Sequence, residues 1–318
     1  MLRYFSILAV LVLASFPAAA QLNPLGNTGG NDQPLELESD KGLELHQDRN
    51  MVVARGNVVV RQGNIKLRAD IVSASYKDIE GRRSIHRVDA IGSVVINTEK
   101  EQLTGEHATY DLERELFLLK GRNLRIDAEN QTVTAEESLE YWDQEKRAIA
   151  RGEATAIQKS DNTRLRADVI EALLAPRGGV QAASTAATPE KLALNLVQAW
   201  GNVRIRTENE QVEGDKGSYD AVNQIATLEG NVVITRGKNH LMGAKAEVNM
   251  ATGVSRLVAA PGKRVRSVFY PGTAGADAKP QDSSAEKKPI ANAPAHASNS
   301  PEKAVKTIVP RERPQKTQ

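Results

Sequence analysis

Cysteine is absent from the 318 residues, which removes disulfide scaffolds, thiolate metal sites, cysteine nucleophiles and lipoprotein anchoring through a cysteine. Aromatic residues make up only 4%, so few large rings are on hand to fill an interior. Charge of one sign is also lacking: 42 Lys and Arg face 40 Asp and Glu. Much of the small positive excess sits in the tail from Pro271, where eight basic residues meet five acidic ones, leaving residues 4–270 slightly acidic. A nucleic-acid partner, which needs a basic face, is therefore not expected. Proline is nearly missing from residues 35–270, where only Pro176, Pro189 and Pro261 occur. Central strands of a sheet require that scarcity.

Long hydrophobic runs are missing too. The longest, Phe5 to Phe16, follows Arg3 and leads into Pro17-Ala18-Ala19-Ala20. It is shorter than the roughly 20 residues that cross a bilayer, and the small residues after it suit signal peptidase. Residues 1–20 are thus expected to be a signal peptide cleaved before Gln21, which implies export. Residues 21–34 and 271–318 are rich in Asn, Gly, Pro, Ala, Lys and Ser, a composition expected to stay disordered. A second low-complexity patch, residues 175–195, is expected to be an insertion; Thr188 to Lys191 within it is the one place where a short helix could start.

What is present is repetition. A glycine followed closely by an aliphatic residue recurs at Gly56, Gly92, Gly121, Gly201 and Gly230, and more weakly at Gly152 and Gly262. Most intervals are about thirty residues, and the longest contains the Ala-rich patch. A small residue follows each glycine at a narrow offset: Ala69, Gly105, Ala135, Ala167, Gly214 and Gly243. An acid comes next in five of the six, Asp70, Glu106, Glu136, Asp168 and Asp215, and is expected on turns or the outer face. Between the markers, apolar and polar residues alternate, as in Val203-Arg204-Ile205-Arg206, the pattern of half-buried strands. On the order of 14 to 16 strands are expected over residues 35–270. The fold class is all-β, a repetitive stack with aliphatic columns along its interior.

No catalytic arrangement is legible. His46, His86, His107, His240 and His296 stand in unrelated contexts, expected to be exposed or in turns, and no nucleophile elbow, zinc motif or phosphate loop occurs. No enzyme activity, metal or cofactor is expected. Two readings of the columns remain open: an ordinary filled core, or a trough between two faces that accepts a long apolar ligand.

Three stretches carry a family resemblance. Asp32 to Asp40, Ala54 to Asp70, and Pro261 to Val268, together with Gly214-Asp215-Lys216 and Tyr219, resemble LptA/OstA-type periplasmic lipopolysaccharide transport proteins. The resemblance implies a twisted two-sheet β-jellyroll open along one side, here extended by extra repeats. Its groove holds the acyl chains of lipid A, the lipid part of lipopolysaccharide. Family members stack end to end in the periplasm, between an LptC-like inner-membrane subunit and an LptD-like outer-membrane subunit. Carried onto this chain, the lipid-contacting N-terminal strand falls on Leu35 and Leu37. The groove lining falls on Val58, Val60, Ile65 and Leu67, and by repeat equivalence on Val94, Ile96, Val203, Ile205, Val232 and Ile234. An LptC-like subunit, a periplasmic LptD-like domain and a structural β-stack without a lipid groove are the alternatives.

Overall fold

The computed structural model describes residues 35–79, 82–176 and 192–270. The chain divides into two compact units, residues 1–274 and 275–318; the described residues all belong to the first. The expected signal peptide, the linker 21–34, the tail from residue 271, His296 and the short helix start near Thr188 lie outside the described residues.

Eighteen strands and one short 3-10 turn, Gln47–Arg49, make up the described fold. Two short strands open it, β1 (Glu36–Glu38) and β2 (Leu43–His46). Four long ones follow: β3 (Met51–Gln62), β4 (Ile65–Ile79), β5 (Arg82–Asn97) and β6 (Glu101–Asp111). Then come β7 (Leu116–Lys120), β8 (Leu124–Ala128), β9 (Gln131–Ala135) and β10 (Ser138–Trp142). Long strands resume with β11 (Arg147–Gln158), β12 (Arg164–Pro176), β13 (Leu192–Arg206), β14 (Gln211–Asp220), β15 (Ile225–Arg236) and β16 (Asn239–Asn249). The last two are β17 (Val254–Val258) and β18 (Arg266–Val268).

Every pairing is antiparallel, and consecutive long strands pair in chain order. Near their middles the long strands carry a bulge, at Arg55/Val58, Ile91/Val94, Arg151/Ala154, Trp200/Val203 and Glu229/Val232. The extra residue there is half of the repeated Gly-x pair, and both members have positive φ: Gly201 at 74° and Asn202 at 50°, for example. Glycine takes that backbone without a Cβ penalty, and the bulge bends the strand. Aligned along the ladder, the bulges form a fold line that divides it into two facing arms. The first arm holds the strand halves before each bulge, such as Met51 to Arg55, and the second holds the halves after it, such as Val58 to Gln62. Where the strand breaks at the line instead of bulging, it is counted as two: β7 with β8, and β9 with β10.

The terminal pairs behave likewise. Strands β1 and β2 both add to β3, and β17 and β18 both add to β16, one on each arm. Eighteen strands exceed the 14 to 16 expected, because breaks at the fold line turn four rungs into two strands each; counted once each, the rungs number fourteen. The two sheets expected from the resemblance are thus one continuous ladder folded on itself, a β-jellyroll-like architecture. The patch at 175–195 is shorter than expected as a break. Register continues through Ala175↔Ala193 and Pro176↔Leu192, so only residues 177–191 fall outside the strands described.

Inward side chains of both arms form a single core running from Ala54 to Val248. The aliphatic columns supply the second arm. The first arm supplies Ala90, Ala108, Leu119, Leu139, Ile170, Ala199 and Leu228, with Tyr110, Phe117, Tyr141 and Tyr219. The interior is therefore plugged in part by aromatic rings, contrary to what the low aromatic content suggested. These four rings all stand on one face.

Candidate functional site

Depth from the fold line orders the inner face of the second arm. Next to the line stand Val58, Val94, Leu124, Val203 and Val232, each 0–1% exposed. One step out are Val60, Leu67, Ile96, Ile205 and Ile234, also buried, with Ile126, Val133 and Leu241 partly buried against the same core. A third step reaches the hairpins, where most inward positions are polar, Gln62, Glu101, Gln131, Gln158, Thr163 and Glu210, with Ile65 opposite Gln62 and Ala128 opposite Glu101. Gln158, Thr163 and Glu210 are 4–7% exposed.

The free space between the arms is uneven. At the N-terminal end a cavity of about 610 Å³ is lined by Leu35, Leu37, Val60 and Leu67 on one side. Val72, Val88, Tyr110 and Leu112 face them from the other arm, with Gln62, Arg83, His86 and Glu113 at its polar edge. In the middle, about 80 Å³ remains between Glu101, Gln131, Ile126 and Val133 of one arm and Phe117, Leu139 and Tyr141 of the other. Toward the C-terminal end about 40 Å³ is left among Val203, Ile205, Val212, Tyr219, Leu228 and Ile234.

The expected lining residues accordingly separate into groups. Leu35, Leu37, Val60 and Leu67 come together around the large cavity. Val203, Ile205 and Ile234 border the small C-terminal space. Val58, Val94, Ile96 and Val232 are sealed at or near the fold line, and Ile65 packs at the edge of the core. Alternation identified the inward face but was blind to the facing arm. Tyr110, Phe117 and Tyr141 were missed, although Tyr110 and Tyr141 sit in alternating runs such as Ala108-Thr109-Tyr110; Phe117 lies in the unbroken apolar run Leu116-Phe117-Leu118-Leu119.

Of the histidines, His86 borders the large cavity, while His46 bonds Glu44 and His107 bonds Asp89. Four of the repeated acids, Asp70, Glu106, Asp168 and Asp215, stand at the fold line beneath a later glycine; under Gly152 the acid is Glu137 instead of Glu136. A Cβ on Gly92, Gly201 or Gly230 would collide with Asp70, Asp168 or Asp215. No group of metal-ligating side chains occurs among the described residues.

Two carboxyls on the second arm are unusual. Burial pushes Glu101 and Glu210 above the ordinary glutamate range. The Oε2 of Glu101 is buried without a hydrogen-bond partner. Both close a hairpin of the same design, Thr98-Glu99-Lys100-Glu101 and Thr207-Glu208-Asn209-Glu210. In each, the threonine N–H bonds the glutamate carbonyl and the glutamate N–H bonds the threonine hydroxyl.

The described residues thus form a folded β-ladder with an apolar interior and a cavity between the arms at its N-terminal end. The chain belongs to the family described as LptA/(LptD N-terminal domain) LPS transport protein, which matches residues 36–141 and again 132–254. It therefore carries two successive copies of that domain. The lipopolysaccharide export system protein LptA of Escherichia coli (strain K12) is 47% identical over 62 residues, covering 20% of this chain and 33% of that protein. An uncharacterised protein of Rhizobium meliloti (strain 1021) is 29% identical over 121 residues, 36% of this chain and 64% of its relative. Each alignment thus spans less than two thirds of the relative's own length. The crystal structure of LptH, described as the LptA-homologous periplasmic component of the lipopolysaccharide transport device of Pseudomonas aeruginosa, shares 20% identity. It covers 51% of this chain and 94% of that one at a TM-score of 0.32.

Proposed function

We propose that the protein shields the acyl chains of lipopolysaccharide between its two arms and carries them across the periplasm. The observation behind this reading is the N-terminal cavity. Its volume lies in the range of roughly 300–1,000 Å³ typical of small-molecule sites, and it is walled by aliphatic residues of both arms. Each methylene moved out of water contributes about 0.8 kcal/mol, so one dodecanoyl chain gains several kcal/mol by occupying such a space. A chain entering there finds its continuation toward the middle closed by Phe117, Leu139 and Tyr141. Onward movement along the ladder therefore requires the arms to part, driven by an external source of energy.

The two ends favour assembly. Among the described residues, strands β2 and β17 each pair on one side only and leave large apolar side chains exposed, Leu43 and Leu45 at one end and Val254 and Val258 at the other. Unpaired edges of this kind accept a further strand. In this reading they join copies end to end, or meet an LptC-like subunit at the N-terminal end and an LptD-like one at the other, so that the protein bridges the two membranes. The packed middle and C-terminal interior favours a second reading, a structural β-stack.

Photo-crosslinking from Leu37 and Leu67 in the host separates the two. Labelled lipopolysaccharide is expected from both positions; none, with the protein folded and exported, leaves the scaffold.

A further inference from the structure

The outer face of the second arm carries a charge arrangement that the fold does not need. Leu165, Ala167, Val203 and Ile205 are buried, so the residues alternating with them, Arg164, Arg166, Arg204 and Arg206, point outward. Pairing of β12 with β13 sets Arg164 opposite Arg206 and Arg166 opposite Arg204. Like charges directly opposite one another destabilise a sheet. The first copy of the domain builds the same rungs without that cost. Arg68 precedes Ala69 as Arg166 precedes Ala167, and Val95 follows Gly92 as Arg204 follows Gly201. There Lys66 lies opposite Asn97 and Arg68 opposite Val95.

Neighbouring carboxylates relieve only half of the cluster. Glu153 lies 2.7 Å from Arg166, and Glu213 lies 3.7 Å from Arg204. The row nearer the hairpins, Ile157, Arg164, Arg206 and Gln211, holds no acid. In it the Arg164 guanidinium meets the side-chain oxygen of Asn162 at 3.3 Å, and Arg206 has no ion pair among the described residues. Residues directly opposite in an antiparallel pair have Cα atoms about 5 Å apart, so both guanidinium forks can close on one phosphate.

Toward the fold line the cluster borders a hollow of about 180 Å³, lined by Glu153, Arg166, Ala167, Asp168, Asn202 and Arg204. Guanidinium and amide donors there stand beside carboxylate acceptors. That mixture suits the hydroxyls of a sugar ring, each of which both donates and accepts. Arg164 and Arg206 stand two residues farther along their strands, roughly 7 Å away, within reach of a phosphate carried by such a ring.

We propose that this outer face binds a phosphorylated sugar, with the phosphate clamped between Arg164 and Arg206 and the ring in the hollow beside Asp168 and Asn202. The site lies outside the arms, so its loss leaves the acyl-chain reading standing.

The test is calorimetric titration of the full chain with glucose 6-phosphate, glucose and inorganic phosphate. Glucose 6-phosphate is expected to bind at least roughly tenfold more tightly than either of the others, since it alone fills both halves of the site. Arg164→Gln combined with Arg206→Gln removes that advantage without lowering the urea midpoint. Arg68→Gln, on the matching rung of the first copy, leaves it unchanged. Displacement of bound glucose 6-phosphate by phosphatidylcholine vesicles carrying diphosphoryl lipid A assigns the site to a lipid headgroup. Failure to displace it assigns the site to a soluble sugar phosphate, and either result supports the proposal. Equal affinity for the three probes, no binding of glucose 6-phosphate, or an advantage that survives the double substitution overturns it.

Discussion

The side-chain amide of Asn202 lies 3.1 Å from both carboxylate oxygens of Asp168, joining residues on neighbouring strands across the fold line. The pairing recurs at Asn231 with Asp215 at 2.9 Å, and at Asn57 with Asp40 at 2.6 Å. Asp168 and Asp215 sit where a side chain on the adjacent glycine would otherwise be, a place that Lys41 takes beside Gly56. Carboxylate, glycine and amide thus form one unit that turns the ladder.

Gly201→Ala should therefore suffer twice, from its positive φ and from collision with Asp168. A loss of at least roughly 1–3 kcal/mol is expected. Gly237 also has a positive φ, at 57°, but open space where a Cβ would go, and Gly237→Ala should cost only about 1 kcal/mol. Urea midpoints of the two variants give the comparison; equal losses would mean that the carboxylate can move aside freely.

Asp89 should make stability depend on acid. Burial alone would raise its pKa, but hydrogen bonds from Arg87 and Thr109 outweigh burial and hold it below 3.8. A carboxyl depressed in the folded state stabilises above its unfolded pKa and loses that contribution as pH falls through the folded one. Asp89→Asn is expected to lose about 1–3 kcal/mol at neutral pH and to converge on the parent in strong acid. A gap independent of pH would contradict this.

Glu210 works in the opposite sense. Its folded pKa is raised by burial, partly countered by Arg236. The folded state then binds its proton more tightly, so folding is penalised as pH rises from 4.5 through the raised value. Glu210→Gln should be more stable than the parent at neutral pH and indistinguishable from it below the unfolded pKa. Thermal unfolding across that range decides the matter, and a variant less stable at neutral pH would refute the account.

Stability and binding should separate along the arm. Leu124, fully buried at the fold line, is expected to cost about 2–5 kcal/mol on replacement by alanine. Leu35 is 51% exposed at the large cavity, so Leu35→Ala should shift stability by only a few tenths of a kcal/mol. It should nevertheless weaken dodecanoic acid binding several-fold, as calorimetry would show.

Association can be tested at the edges. Leu43→Lys places a charge on β2, a device that blocks strand addition. Sedimentation velocity should show end-to-end species in the parent and a monomer in the variant; identical profiles would exclude β2 as a contact.

The residues that bend the ladder were plain in the sequence, because a repeated glycine, a small residue and an acid mark every turn across the fold line. The inward columns were equally plain, since a period of two assigns each residue a face. Distance from the fold line was not. Val58 and Ile65 both alternate inward, yet one is sealed and the other lies near an edge, and only the three-dimensional bend tells them apart. The hidden half of the interior follows from the same cause. Phe117 and Tyr141 meet Ile126 and Val133 through space between arms, a relation that no local period records. Nor could spacing alone show that the acids press on glycines of the following strand.

The second domain copy begins before the first has ended, and the ladder crosses from one to the other by ordinary rungs, with Ser138 opposite both Lys120 and Arg151. That junction is paired strand on both sides. Duplication here lengthens one ladder, and no new surface has to evolve to join the copies.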